Sequence, residues 1–493
     1  MTVNRNPKKS RPYDQPPKRR RTLIPDAPGS SATGFLVAAA LWFLVATGIG
    51  ALALVIRLVP FELTFPLGLF DLAFELNMRR VDAAFVNATV FGWLSNAGFA
   101  AVAFMTPRLL GRPLVAEKLV NVAMLFWNMA LAGGIAALYV FELGPNAPLT
   151  AMLWLFDGGL ATAALIVTGA FLATVGSSAR TAYVSAWFAG VALLGLLGLL
   201  GLNATLGVAS LFLDINEVTT ALISLVIDRG IIVIWLLGIT YATLFYVVPR
   251  ASGQPLASGG LALLTFVAWL ALAPGSLLAE LRIPEVPVVI TTAGSVATML
   301  LLVPAALAVV NLVQTMEGRW TLLFGTGAIG FAAVSLAFLL GASLLEAIGA
   351  LRAIDAQVGG TDWERGLFLW SAFGTYSFAA FALSEHALPR LLRRSWGGGA
   401  LSGSLLWLTF GGATVAGLAL MGGGLAEGTL RAAAAAPEQM TAALAPYRAV
   451  VLLGFGLVAL GAVAMLVNLF LLYTSGEPVE YVVPGQAATA AGH

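Results

Sequence analysis

The chain has 493 residues, 59% of them hydrophobic and 10% charged, with a formal net charge of +2 and a mean hydropathy of +0.92. Soluble domains carry about 25% charged residues, so a single solvated globule is excluded. Cysteine is absent, which excludes disulfides, thiolate metal sites and cysteine nucleophiles, and only two histidines exist, His386 and His493.

In chain order, residues 1–32 are polar and basic, with Lys18-Arg19-Arg20-Arg21 near their end. They read as a disordered cytoplasmic tail lying close to anionic headgroups, and no signal-type apolar stretch precedes the first long span. Residues 33–474 read as an all-α integral membrane domain. Its expected spans are 33–57, 82–106, 118–142, 149–175, 182–209, 219–248, 258–280, 288–312, 321–349, 366–388, 402–425 and 448–474. About 20 apolar residues at 1.5 Å each cross a hydrocarbon core. Runs this long lack the alternation of a membrane barrel, so helices are the spanning form. Residues 475–493 read as a cytoplasmic C-terminal tail. Between the spans, 58–80 reads as an interfacial amphipathic helix and 426–447 as a short helix over the bundle. No soluble domain and no strong short repeat is evident.

Basic residues orient the bundle. Seventeen Lys/Arg fall on the side of the N-terminal tail and eight on the other, with Arg229 inside a span. That asymmetry predicts both termini in the cytoplasm and, with the composition, a bacterial inner membrane.

Several junctions resemble subunit I of the heme–copper oxidase superfamily, nearest its C-type cytochrome c oxidase and nitric oxide reductase branches. The second span reads Phe85-Val-Asn-Ala-Thr-Val-Phe-Gly-Trp-Leu-Ser-Asn96 and closes on Pro107-Arg108-Leu-Leu-Gly-Arg-Pro113. Further matches are Phe126-Trp127-Asn128, Val248-Pro249-Arg250, Thr361-Asp362-Trp363, Pro389-Arg390 and Asn468. The resemblance spans roughly residues 33–474 and implies a twelve-helix bundle of the cytochrome c oxidase subunit I type. It also implies heme and copper held by six histidines, imidazole being a strong neutral ligand for both metals. Aligned on the flanking motifs, the ligand positions hold Phe85, Arg229, Gly275, Ser276, Leu367 and Leu369. None is an ordinary heme or copper ligand, so no cofactor is expected, and no catalytic or metal residue is assigned.

Arg229 is the most expensive residue, since an arginine at mid-bilayer costs roughly 2.5–3.5 kcal/mol. Either it pairs with an acid in a polar cavity, Asp157 being the first candidate by depth, or it snorkels outward. Glu280 and Glu346 read as interfacial, and His386 as an interfacial or hydrogen-bonded group. Trp93, Trp127, Trp154, Trp235 and Trp407 read as packing or belt residues.

The expected partners are the lipid bilayer and other subunits of a respiratory complex. No phosphate loop, nucleophile elbow or groove-like basic patch points to nucleotide or nucleic acid. Two functions follow: a structural or assembly subunit without cofactors, or a transporter or proton conductor using the vacated pore around Arg229.

Overall fold

A computed structural model describes residues 24–59, 61–66, 73–141, 148–176, 178, 182–283, 286–325, 327–397 and 399–479. The two tails expected at 1–32 and 475–493 lie mostly outside the described residues. Among the described residues, twelve helices are long and apolar enough to cross a membrane. They are Ser30–Leu58, Met78–Leu110, Glu117–Leu138, Trp154–Val175, Val184–Ala209, Glu217–Ser252, Gly259–Glu280, Val288–Thr315, Ala328–Gly349, Asp362–Leu392, Gly399–Ala432 and Pro437–Ser475. These match the twelve expected spans in order and exceed most of them by a turn at one or both ends. The backbone stays helical into the headgroup depth, where apolarity no longer marks it.

Both ends of the bundle lie on one face. There Ser31 donates through its backbone and hydroxyl to Glu117, at 2.9 and 2.7 Å, and the Ser395 amide donates to the Glu477 carbonyl at 2.9 Å.

The opposite face corrects two expectations. Among the described residues of 58–80, no separate interfacial helix precedes the one that starts at Met78. Strands β1 (Leu63–Pro66) and β2 (Ala73–Leu76) pair antiparallel, Leu63 opposite Leu76 and Thr64 opposite Glu75. The first strand is exposed throughout and the second half-buried throughout, so the ribbon lies with one strand toward the bundle. Arg80 holds it down, donating to the Leu138 and Phe141 carbonyls at 2.5 and 2.6 Å and pairing with Glu75 at 2.5 Å. Likewise 426–447 forms no separate helix. The eleventh span runs on to Ala432 and the twelfth begins at Pro437, which suits a first helical turn because its missing N–H has no partner there anyway. Those two helices touch backbone to backbone at Gly412 and Gly454. A Cβ on Gly412 would sit 2.5 Å from the Gly454 carbonyl oxygen, so only glycine permits this approach.

The second, sixth and tenth spans form the centre of the bundle, ringed by the other nine. Each contains one π-helical stretch: Ala88–Leu94, Ile231–Leu236 and Trp370–Tyr376. A π turn frees backbone carbonyls from the i→i+4 ladder, and buried carbonyls require partners. Neighbouring helices supply them. The Trp127 indole donates to Phe91 O and the Trp269 indole to Val233 O, each at 2.9 Å, and the Ser335 hydroxyl to Thr375 O at 2.7 Å. Within the spans, Ser95 and Ser377 donate to Val90 O and Ala372 O at 2.8 and 2.7 Å. These two hydroxyls then accept from the indoles of Trp235 and Trp93, at 2.8 and 2.7 Å, which makes two of the three links of a ring, sixth span to second and second to tenth.

The three spans share one register. Thirteen residues after the π stretch comes Pro-Arg, at Pro107-Arg108, Pro249-Arg250 and Pro389-Arg390. Four residues after each proline the chain turns left-handed, at Gly111 (φ 64°), Gly253 (φ 69°) and Arg393 (φ 54°). Three residues before each proline stands a ring: Phe104, Tyr246 and His386. Their centroids are mutually 6.0 Å apart and their planes nearly perpendicular, at 86–88°. The sequence shows no strong short repeat; what organises the core is a long-period threefold device.

Candidate functional site

Beyond the π stretches, toward the hairpin face, the inner spans part around two cavities of about 400 and 720 Å³. The smaller lies among the first, second, sixth, tenth and twelfth spans. Phe85 and Leu369 line it, with Phe368 and Phe455. Phe85 stacks on Phe373 at 6.2 Å and meets Phe368 and Phe455 edge-on at 6.2 and 5.7 Å, so phenyl rings wall this space. The larger lies among the sixth to tenth spans, where Leu367 and Arg229 line it with Glu346 and Tyr376. Arg229, Glu280, Glu364 and Phe368 belong to both walls.

The structure therefore brings four of the six sequence-derived positions to cavities, in two pairs: Phe85 with Leu369, and Arg229 with Leu367. Gly275 and Ser276 line neither. Ser276 is buried and spends its hydroxyl on the Ala273 carbonyl at 2.7 Å.

Arg229 faces the protein interior and pairs with Glu346 through Nη1. Asp157 is not its partner, which corrects the expected pair. Asp157 is buried, meets Asn203 of the adjacent fifth span, and leaves Oδ1 without a hydrogen-bond partner. Depth along a span set the two residues level, but azimuth separates them. Glu346 and Glu280, expected at the interface, both line the larger cavity, and Glu280 acts electrostatically on Arg229. About a fifth of the Arg229 and Glu346 side chains is exposed, toward the space that they line, and Nε of Arg229 has no hydrogen-bond partner. Asp228 faces the other cavity and accepts from the Leu149 amide at 3.2 Å.

An ion network closes the smaller cavity on the hairpin face. Arg57 bridges Asp82 at 2.6 Å and Asp362 at 3.3 Å, and Arg365 joins Asp362 at 2.9 Å. Asp362 of the Thr-Asp-Trp motif is thus a link in this network at a helix N-terminus, where negative charge is favoured. Other motif residues also make structural bonds. Asn96 and Asn128 exchange amide hydrogen bonds at 3.1 Å, and the Trp42 indole donates to Asn128 at 2.7 Å. Asn468 donates to Ser402 at 3.0 Å, which donates to Glu385 at 2.8 Å. His386 is buried in the ring cluster. Among the five tryptophans singled out, Trp93, Trp127 and Trp235 are buried and bonded, whereas Trp154 and Trp407 are exposed.

Chemically, the cavities are apolar chambers with a charged partition. Phe85, Leu367 and Leu369 offer no lone pair to iron, and the guanidinium of Arg229 repels a cation. The donor set therefore does not fit heme or copper. Among the described residues no group of three or more His, Cys, Asp or Glu side chains could hold a metal ion.

Comparison with known proteins agrees with this architecture. Residues 31–475 match the family described as Cytochrome C and Quinol oxidase polypeptide I. The chain is 23% identical over 370 residues to the Cbb3-type cytochrome c oxidase subunit CcoN1 of Stutzerimonas stutzeri, covering 73% of this chain and 75% of that one. Its fold is similar to that of a heme-copper terminal oxidase dimer solved by cryo-EM, with a TM-score of 0.74 at 15% identity, covering 92% of this chain and 85% of that one.

Proposed function

Since this chain belongs to the Cytochrome C and Quinol oxidase polypeptide I family, we propose that it is a subunit I-like multi-pass membrane protein that binds neither heme nor copper. Its work is that of a structural or assembly subunit of a respiratory membrane complex. The observation that carries the reading is the pairing of Phe85 with Leu369 and of Arg229 with Leu367 at two cavities, none of them a donor to iron or copper. The motif residues that persist around them make backbone caps and amide pairs that hold the bundle whether or not a cofactor is present. The basic asymmetry supports termini in the cytoplasm and an inner-membrane location.

The test is purification of the full chain from its native membrane under mild detergent. Optical spectra and metal analysis should show no stoichiometric heme or copper, and oxidase or cytochrome subunits should co-purify. A Soret band near one heme per chain, abolished by His386→Ala, overturns the reading.

A second reading, transport or proton conduction, is favoured by one observation: Arg229 stands in the partition common to both cavities. Proteoliposomes of the purified chain, tested for dye-detected proton flux abolished by Arg229→Leu, decide between the two.

A further inference from the structure

The inner spans converge on the face of the termini, and the register that repeats in them brings three arginines together there. Arg108, Arg250 and Arg390 each follow a proline at the end of their span, and all three are exposed. The ring cluster of Phe104, Tyr246 and His386 lies under them. The Arg108 guanidinium stands 3.7 Å over the Phe104 ring and donates to the Phe104 carbonyl at 2.8 Å. Arg390 donates to the His386 carbonyl, and the Arg250 guanidinium lies 5.9 Å from the Tyr246 ring. All three arginines act electrostatically on both Tyr246 and His386, which sets their charges around one point.

Local structure offsets part of the charge at Arg108 and Arg250: each helix C-terminus contributes roughly half a negative charge, and Glu117 acts electrostatically on Arg108. Arg108 and Arg250 form no ion pair within 4.0 Å among the described residues. Beside Arg250 a cleft of about 860 Å³ opens, lined by Gln254 and by the apolar side chains of Leu109, Leu110 and Leu256.

We propose that this face binds the phosphodiester headgroup of an anionic phospholipid. The guanidinium forks suit phosphate oxygens, and the cleft takes the glycerol and the upper acyl chain. The charges stand at the ends of membrane-spanning helices, at headgroup depth, where a basic pocket between helices recognises acidic lipid. The apolar wall favours a lipid over a soluble phosphate, which would gain nothing from it.

The test uses the full chain in nonionic detergent, titrated with dioleoyl phosphatidylglycerol or dioleoyl phosphatidylcholine and read by native mass spectrometry. The anionic lipid should bind at least ten-fold more tightly, and the preference should weaken with salt. Arg250→Gln should lose about ten-fold and the triple glutamine variant the whole preference. Arg250→Lys should recover part of it, and Arg319→Gln on the same face should change nothing. If the triple variant unfolds, Arg250→Gln with an unchanged melting temperature decides. Equal binding of the two lipids, equal losses in Arg319→Gln and Arg250→Gln, or displacement of the lipid by millimolar inorganic phosphate would each overturn the proposal.

Discussion

The three inner spans behave differently in their two halves. Toward the termini they repeat one another: a π stretch, a ring, a proline, an arginine and a left-handed turn recur in register, and just past the π stretches only about 20 Å³ is left open among the three helices. Toward the hairpin they diverge into an aromatic-walled cavity on one side and an ion-paired one on the other. The first half is governed by the backbone, because freed carbonyls must be capped and helix ends must turn. The second half is governed by volume and charge, which phenyl rings or an Arg–Glu pair satisfy without any particular ligand. A scaffold of this kind keeps its shape when the residues facing its cavities change.

The largest effect that separates the halves is expected from Glu346→Leu, which leaves the Arg229 charge unpaired in the cavity wall. Thermal unfolding should show a loss of about 3 kcal/mol, with partial recovery in the Arg229→Leu/Glu346→Leu double variant, because desolvation offsets much of what the pair contributes. Additive losses across that cycle would show that the pair is not coupled. Next in size, Phe85→Ala enlarges a space already present and should cost about 3 kcal/mol in the same assay. A cost below 1 kcal/mol would mean that the rings fill that cavity only loosely. In the repeated half, Trp235→Phe removes the donor to Ser95 and should cost about 1–2 kcal/mol. The smallest change, and of opposite sign, is expected from Thr375→Val. By register Thr375 corresponds to Trp93 and Trp235, yet its hydroxyl is buried without a partner and Leu237 stands where Ser95 and Ser377 stand in the other spans. Removing that hydroxyl should be neutral or stabilise by up to about 1 kcal/mol. A loss as large as that of Trp235→Phe would show that the third link of the ring is closed after all.

Much of this was legible in the sequence, and the failures have physical causes. Twelve apolar runs gave twelve spans, because length and apolarity are what the bilayer selects. That Phe85, Arg229, Leu367 and Leu369 line cavities fits the motif register, whereas which of them share a cavity came only with the structure. The Arg229–Asp157 pair failed because hydropathy gives depth in the membrane and says nothing of the direction in which a helix face points. Glu346, level with Arg229 and across the cavity from it, looked interfacial because it lies near a span end. The hairpin was hidden by its acids and phenylalanines, which suit an interfacial helix as well as a short ribbon. The threefold register escaped notice because its copies lie 142 and 140 residues apart and share little beyond Pro-Arg.

The Arg229–Glu346 pair also sets an order of events during synthesis. Its two members are 117 residues apart, with the seventh and eighth spans between them. At about 5–20 residues per second, roughly 6 to 23 seconds pass after the arginine emerges before its carboxylate exists. Through that interval the sixth span must rest in or beside the bilayer with an uncompensated charge worth roughly 2.5–3.5 kcal/mol. Glu280 arrives sooner, 51 residues after Arg229 and on the same cavity wall, and is placed to hold the arginine until the ninth span comes in. The acid that binds Arg229 in the finished protein and the acid that shelters it on the way are then two different residues.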